Sequence, residues 1–482
     1  VNVRALFALA LALATGCAHQ SASAAAPPEV PAVSHAPVWT PSEVRALRAR
    51  LREPLGRSAL ATSGIAIVDA GGQPLFLRRE RRPAVPASTF KLLVAIAALQ
   101  TLGPDYRFET RLEALDGPHD GTIDGDLYLV GDGDPSLTAD DLRGGIGQLV
   151  RAGTTQIAGS IVADGGLFGG PEVNPAWESD DLQYDYAAGT SALSLDEGTV
   201  EFHLVPQSAG APAQIEVRPR SSAVRVLGGV TTGYATTLSI DRDPASNTFT
   251  FSGSIAVDAE QSFWRPVIDQ PLYAAGVTRS LLLQRDITVA GEARTGTAPV
   301  VATVLWRHRS APLRTLLAHM LFESDNHYAE ELLRAVGARD GVVGTEAAGA
   351  EVERAVFKQL GAPANGLHVV DGSGLAPSDR VAPLQLATLL ARAGLEPTGN
   401  VLYHDLPRVG IEGTVRYHDL TTALGRSRAK SGHIEDVDAL AGYVDTRRHG
   451  RVAFAILVND PRADDGIVDD GIDATLDVLA GS

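Results

Sequence analysis

Cysteine is almost missing from these 482 residues: Cys17 is the only one. The folded part therefore has no disulfide, no thiol nucleophile and no cysteine metal site. Lysine is nearly as scarce, with Lys91, Lys358 and Lys430 set against 38 arginines. No run of 18 or more apolar residues occurs, so no transmembrane helix is expected. The histidines show no His-Glu-x-x-His spacing, which argues against a catalytic zinc. Asp124, Asp126, Asp132 and Asp134 surround a strand pattern and do not make an EF-hand loop. They read as acidic turn residues, and neither a metal nor a cofactor is expected. Positive charge is in deficit: the net charge of -17 argues against a nucleic-acid partner. What is there is ordinary for a soluble globular protein, 44% hydrophobic and 21% charged, and long enough for two or three domains.

The N-terminal residues read as an export signal. Arg4 is the only early charge, and Ala5 to Ala14 is an apolar run too short for a stable bilayer anchor. The stretch Ala14-Thr15-Gly16-Cys17 resembles the lipobox of bacterial lipoproteins, although Ala14 stands where a larger apolar residue is usual. The resemblance implies a signal peptide over residues 1–16 and a lipid on the Cys17 sulfur. Ordinary cleavage near Ala22-Ser23-Ala24 is the alternative. Residues 17–37, rich in Ala, Pro and Ser, read as a flexible tether.

Beyond the tether, Thr40-Pro41 marks the start of a helix over Trp39 to Leu55. Gly64 to Asp69 is a strand, Gly71-Gly72 a turn, and Pro74 to Leu77 a second strand. Pro86-Ala87-Ser88 opens a helix through Ala98 whose apolar face carries Leu92, Leu93, Ile96, Leu99 and Leu102. From about Asp105 to Val304 short strands alternate with Gly/Asp turns, a β-rich excursion. Helices return after Ala311, then near Ala329–Val336 and Thr345–Leu360. Leu440 to Asp445 and Arg451 to Asn459 form a strand pair, and about Gly466 to Leu479 a last helix. Strands at both ends with helices between them suggest one α+β sheet built from the two termini.

Two of the three lysines fall in patterns that need them. Ser88-Thr89-Phe90-Lys91 places a hydroxyl and an amine one turn apart on a helix face. Arginine cannot give up its proton in a protein, whereas buried lysine can. A neutral lysine base near pH 7 needs its pKa lowered by roughly three units from about 10.4. Lys430-Ser431-Gly432 precedes the last strand pair, where an edge-strand cation and hydroxyl suit a carboxylate-bearing substrate. Gly432 would let a ligand backbone approach. In Ser324-Asp325-Asn326, alternate residues facing one way would put Ser324 and Asn326 into a cleft. Taken singly, these patterns also read as helix caps or a strand end with a solvated lysine.

In this order the three form the signature of penicillin-recognising serine enzymes. The chain resembles the class C low-molecular-mass penicillin-binding proteins more narrowly. The resemblance rests on Ala87 to Leu93, Leu102 to Thr110, Gly125 to Leu129, Gly133 to Leu137, Ser191 to Ser194, Asp371 to Leu375 and Leu440 to Val444. It covers roughly residues 40 to 480. It implies a transpeptidase-like, β-lactamase-like domain with a five-stranded antiparallel sheet flanked by helices. That domain would join residues 38–104 to 306–482. Inserted domains would occupy 105–190 with 268–305, and, β-rich, 191–267.

The implied activity is that of a D-alanyl-D-alanine carboxypeptidase/endopeptidase. Ser88 would attack the penultimate D-Ala carbonyl to give an acyl-enzyme, with Lys91 taking its proton. Ser324 would relay a proton to the leaving amine, tuned by Lys430. Asn326 would hold the acyl side chain and Lys91. Lys430 and Ser431 would bind the terminal carboxylate, and the N–H groups of Ser88 and His433 would form the oxyanion hole. Ser431 replaces the commoner Thr and keeps the hydroxyl. His433-Ile434 stands where Thr and a bulky apolar residue are usual. The implied partners are peptidoglycan stem peptides, their cross-bridges and β-lactams. The implied place is periplasmic or extracytoplasmic, at a membrane through Cys17. A β-lactamase shares the three motifs, but no Glu-x-x-Leu-Asn segment supplies its deacylating base. A non-catalytic cell-wall binding module is the third alternative, and the intact Ser88/Lys91 pair counts against it.

Overall fold

The computed structural model describes residues 38–339, 341–460 and 465–482. Cys17 and the expected signal peptide and tether lie outside them. Thr40 caps the first helix, Pro41–Leu51, in a reciprocal capping box with Glu43. The helix stops short of the expected Leu55 because Pro54 opens a separate 3-10 turn, Pro54–Gly56.

The two chain ends share one sheet. Its order is Ser427–Ile434, Val437–Asp445, Arg451–Asn459, Gly64–Asp69, Pro74–Arg78, antiparallel throughout. The central seam pairs Gly64 with Leu457 and Asp69 with Val452. Both faces are covered, so the strands read as continuous apolar runs. Ile65, Ile67, Val452, Phe454 and Ile456 point to one core, closed by Leu47, Leu51, Ile472 and Leu476 of the first and last helices. Ala66, Ala441, Ala453 and Ala455 point to the other, beneath the helices Lys91–Thr101 and Pro383–Ala393. Small residues on this face let the helices sit close: a Cβ on Gly64 would lie 2.7 Å from Pro383 Cγ.

The middle of the chain builds other sheets. One runs Ala293–Thr295, Ile161–Asp164, Leu127–Val130, Glu109–Ala114, Thr303–Arg309. Thr303–Arg309 thus stays with this second sheet, and the helices of the first region resume only at Leu313. Smaller sheets fill residues 199–266. The excursion is less purely β than its texture suggests. It contains the helices Ala139–Arg151 and Gln270–Leu283, packed on a shared core with Leu129 and Ile161. Among the described residues no helix is long and apolar enough to cross a membrane.

Candidate active site

Ser88 stands in a one-turn 3-10 helix, Ala87–Phe90, which feeds the α-helix Lys91–Thr101. The expected nucleophile is therefore on a tight turn ahead of the α-helix, not in its first turn. Ala87 holds a positive φ of 45°, a strained backbone for a residue with a Cβ. Gly374 makes room for it: a Cβ there would fall 1.9 Å from the Ala87 carbonyl oxygen. Across the turn lies the edge strand Ser427–Ile434. A Cβ on Gly432 would stand 2.8 Å from Pro86 O and 2.9 Å from Ser88 N. The glycine is thus required by the protein's own backbone.

Lys91 is fully buried and its ammonium has three partners. It donates to Ser88 Oγ at 2.9 Å, Asn326 Oδ1 at 2.6 Å and the Ser373 carbonyl at 3.0 Å. Burial lowers its pKa to about 8, against the opposing pull of Asp371, Asp325 and Glu330. An amine so placed can exchange a proton with the serine hydroxyl near neutral pH.

Ser324 and Asn326 both reach this cleft, but through a helix-to-helix junction and not an extended segment. Ser324 ends the helix Leu313–Glu323 with a left-handed φ of 65°. Asp325 then caps the helix Asn326–Gly337 by accepting from Tyr328 N at 3.0 Å. Capping and cleft lining coexist here. Asn326 Nδ2 donates to the Tyr186 carbonyl at 2.8 Å, which fixes its amide so that Oδ1 faces Lys91.

Lys430 is also fully buried. Its ammonium donates to Ser431 O at 2.8 Å and approaches Thr414 Oγ1 at 3.5 Å. Burial, then repulsion from Lys91, holds its pKa well below the usual lysine range. Ser431 Oγ and Thr414 Oγ1 lie 2.7 Å apart. His433 Nδ1 is 2.7 Å from Asp438 Oδ1 on the next strand.

Two cavities meet at Ser88. One, of about 740 Å³, is bounded by Tyr186, Ser324, Asn326, Leu375 and His433, with Glu178, Asp180, Asp181, Glu435 and Asp436 around it. The other, of about 360 Å³, is lined by Ser324, Thr414, Tyr417, Ser431, Gly432 and His433. The eight residues expected from the sequence to be catalytic or substrate-binding thus come together from the Ser88 turn, the junction at Ser324–Asn326 and the facing strand.

Several supporting groups escaped the sequence reading. Thr414 and the Ser373 and Tyr186 carbonyls are among them. Glu330 is another: its carboxylate accepts from Gly372 N at 3.0 Å and Ser373 N at 2.8 Å, holding the loop whose carbonyl faces Lys91. Asp371 accepts from Gly374 N at 2.7 Å and from Trp177 Nε1 at 2.9 Å. Glu331 accepts from Ser191 N at 3.0 Å and Ser194 Oγ at 2.6 Å. A signal was present: two adjacent glutamates between Ala329 and Leu332-Leu333 on a buried helix need internal partners.

Residues 47–480 match the model of the D-Ala-D-Ala carboxypeptidase 3 (S13) family. A D-alanyl-D-alanine carboxypeptidase of Actinomadura sp. (strain R39) is 33% identical over 419 residues, 83% of this chain and 78% of that protein. The D-alanyl-D-alanine carboxypeptidase DacB of Haemophilus influenzae is 27% identical over 392 residues, 77% of this chain and 80% of that one. The crystal structure of penicillin binding protein 4 (dacB) from Haemophilus influenzae superimposes with a TM-score of 0.74 at 24% identity. It covers 89% of this chain and 97% of that one, which shows a shared fold.

Proposed function

The chain belongs to the D-Ala-D-Ala carboxypeptidase 3 (S13) family and is a serine D-Ala-D-Ala carboxypeptidase, and we propose that it works on peptidoglycan through an acyl-enzyme on Ser88. The observation that carries the assignment of Ser88 is the buried Lys91 ammonium between Ser88 Oγ and Asn326 Oδ1. Lys91, as the free amine, takes the hydroxyl proton while Ser88 Oγ attacks the penultimate D-Ala carbonyl. The N–H groups of Ser88 and His433 receive the developing oxyanion. Ser324 passes a proton to the leaving amine. Water then cleaves the ester and frees Ser88.

Among the described residues no carboxylate pairs with Lys430, and the substrate's terminal carboxylate supplies one. With Ser431 and Thr414 beside it, this makes a site for a C-terminal D-alanine. His433 replaces the usual threonine hydroxyl there with an imidazole turned to Asp438. The acidic border of the larger cavity, Glu178, Asp180, Asp181, Glu435 and Asp436, favours an amine-bearing part of the stem peptide. The smaller cavity leaves room for a leaving group bulkier than D-alanine, which suits cross-bridge cleavage as well.

Incubation with a fluorescent penicillin and then with a D-Ala-D-Ala stem peptide tests this. Stable labelling and D-alanine release are expected, and both should vanish in Ser88→Ala. Rapid loss of label would indicate a β-lactamase, and no label a binding module.

The family's substrate places the enzyme outside the cytoplasm. We further propose that the thioether-linked lipid of a lipoprotein sits on Cys17, on the strength of the Thr15-Gly16-Cys17 motif. Mass spectrometry of the membrane-extracted protein should find Cys17 first and modified. An N-terminus beyond Cys17 would refute it.

A further inference from the structure

Behind the catalytic cleft, three side chains from separate parts of the chain converge. They are Glu197, His319 near the end of the helix Leu313–Glu323, and Asp325 between Ser324 and Asn326. One ligand atom from each lies within 4.8 Å of the other two, the one such grouping among the described residues. His319 Nε2 stands 3.3 Å from Asp325 Oδ2 and 3.7 Å from Glu197 Oε1.

His319 Nε2 shares one long hydrogen bond with Asp325 Oδ2, and Glu197 Oε1 lies beyond hydrogen-bond reach. A good N–H···O bond spans about 2.7–3.2 Å, and one imidazolium N–H cannot point at two carboxylates at once. Both distances are also those of ligands around a shared ion. With bonds of about 2.0–2.2 Å, the ligand atoms of a tetrahedral zinc stand about 3.3–3.6 Å apart. Both separations come within a few tenths of an ångström of that edge.

The donors are also held from behind. Asp325 Oδ1 is used by Tyr328 N, so Oδ2 is the oxygen left facing His319. The His319 ring packs against the Tyr328 ring with centroids 4.5 Å apart. The open side faces water, since the His319 and Glu197 side chains are 39% and 50% exposed. A solvent ligand can complete the shell there. One imidazole with two carboxylates is a hard-to-borderline set that fits zinc rather than a purely oxygen-seeking cation.

We propose that Glu197, His319 and Asp325 bind a divalent transition cation of the zinc class, with water in the fourth position. The site is a clamp and not a reaction centre. It ties the inserted segment around Glu197 to the turn that presents Ser324 and Asn326 to the cleft. Spacing in the sequence could not reveal it, because the ligands come from three unconnected stretches; the expectation of no metal was drawn from local patterns alone.

The test uses the whole folded chain, stripped with a chelator and titrated with zinc by calorimetry, and with cobalt by its visible absorption. One zinc per chain is expected, with a tetrahedral cobalt spectrum and a melting temperature raised by zinc. Glu197→Gln and His319→Ala should each weaken binding by about 10–100-fold or more and abolish the zinc-dependent melting shift. Melting curves in chelator, alongside penicillin labelling, show whether each variant is folded. Glu197→Gln keeps the side chain's shape and should label as the wild type does without metal. Zinc bound equally well by wild type and both folded variants, or not bound by the wild type, would overturn the proposal.

Discussion

Replacing Lys91 with arginine is expected to lower the rate of penicillin acylation by about 10³–10⁴-fold, although charge and length are nearly kept. Arginine is favoured almost everywhere in this chain, yet lysine stands one turn after Ser88. The amine is fully buried, 2.9 Å from the hydroxyl it must deprotonate, and burial lowers its pKa to about 8. Guanidinium stays protonated at any working pH and cannot act as the base.

The same pKa sets a sign for pH. The active form is the free amine, so wild-type acylation should climb up to tenfold per unit below about pH 8 and level off above it. In Lys91→Arg that dependence should be gone. Lys430→Arg is the control, because its proposed part is electrostatic. It should lose about 10–100-fold, roughly 1.4–2.8 kcal/mol of barrier. Stopped-flow labelling of both variants, with melting curves to confirm folding, measures this. Equal losses at the two positions would show that base and cation are wrongly assigned.

Alanine at Gly374 should be nearly as damaging, for reasons of space. Gly374 has a φ of +79°, a backbone conformation that costs an L-residue about 1–2 kcal/mol. The added Cβ would also fall 1.9 Å from the Ala87 carbonyl oxygen and 2.5 Å from its carbon. Both are backbone atoms, so no side chain can swing aside. Overpacking of this kind adds about 1–3 kcal/mol. A loss of about 2–5 kcal/mol in unfolding free energy is expected. Activity should fall further than stability alone explains, because relief of the clash moves Ala87 away from Ser88's working position. It also shifts Ser373, whose carbonyl holds Lys91. Urea unfolding and penicillin labelling at a temperature where the variant is folded would separate the two losses. A variant as stable and as quickly labelled as the wild type would refute the reading.

The parts of the fold that could be read from residues alone are those whose pattern is local. The strands at Gly64–Asp69, Leu440–Asp445 and Arg451–Asn459 are apolar runs that stood out, although the second begins earlier, at Val437. The helix Ala139–Arg151 did not. Gly144, Gly145 and Gly147 lower its propensity, and its reason lies elsewhere: a Cβ on Gly145 would lie 2.7 Å from the Trp306 ring. Tertiary packing selected glycine there against local preference.

The site divides the same way. Ser88 and Lys91 are three residues apart, and the scarcity of lysine made the pair conspicuous. Thr414 and Glu330 act through contacts with residues distant in the chain, Ser431 in one case and Gly372-Ser373 in the other. No spacing rule reaches that far. Gly432 has a further reason that no spacing shows, since a Cβ there would crowd Ser88's own amide.

The seam between Gly64–Asp69 and Arg451–Asn459 has a consequence for how activity first arises. The N-terminal hairpin must wait for almost the whole polypeptide before its partner strand exists. Contacts of such long range form late, because closing the intervening loop is entropically slow. Until then the hairpin carries an open, apolar edge that invites pairing with other chains. Ser88 and Lys91 can settle into their helical turn early, but Lys430 and Ser431 arrive only with the final strands. A nascent or C-terminally clipped molecule thus has a nucleophile and a base but no strand to face them. Hydrolytic competence is switched on by completion of the sheet, so an unfinished chain should remain unable to cut the wall.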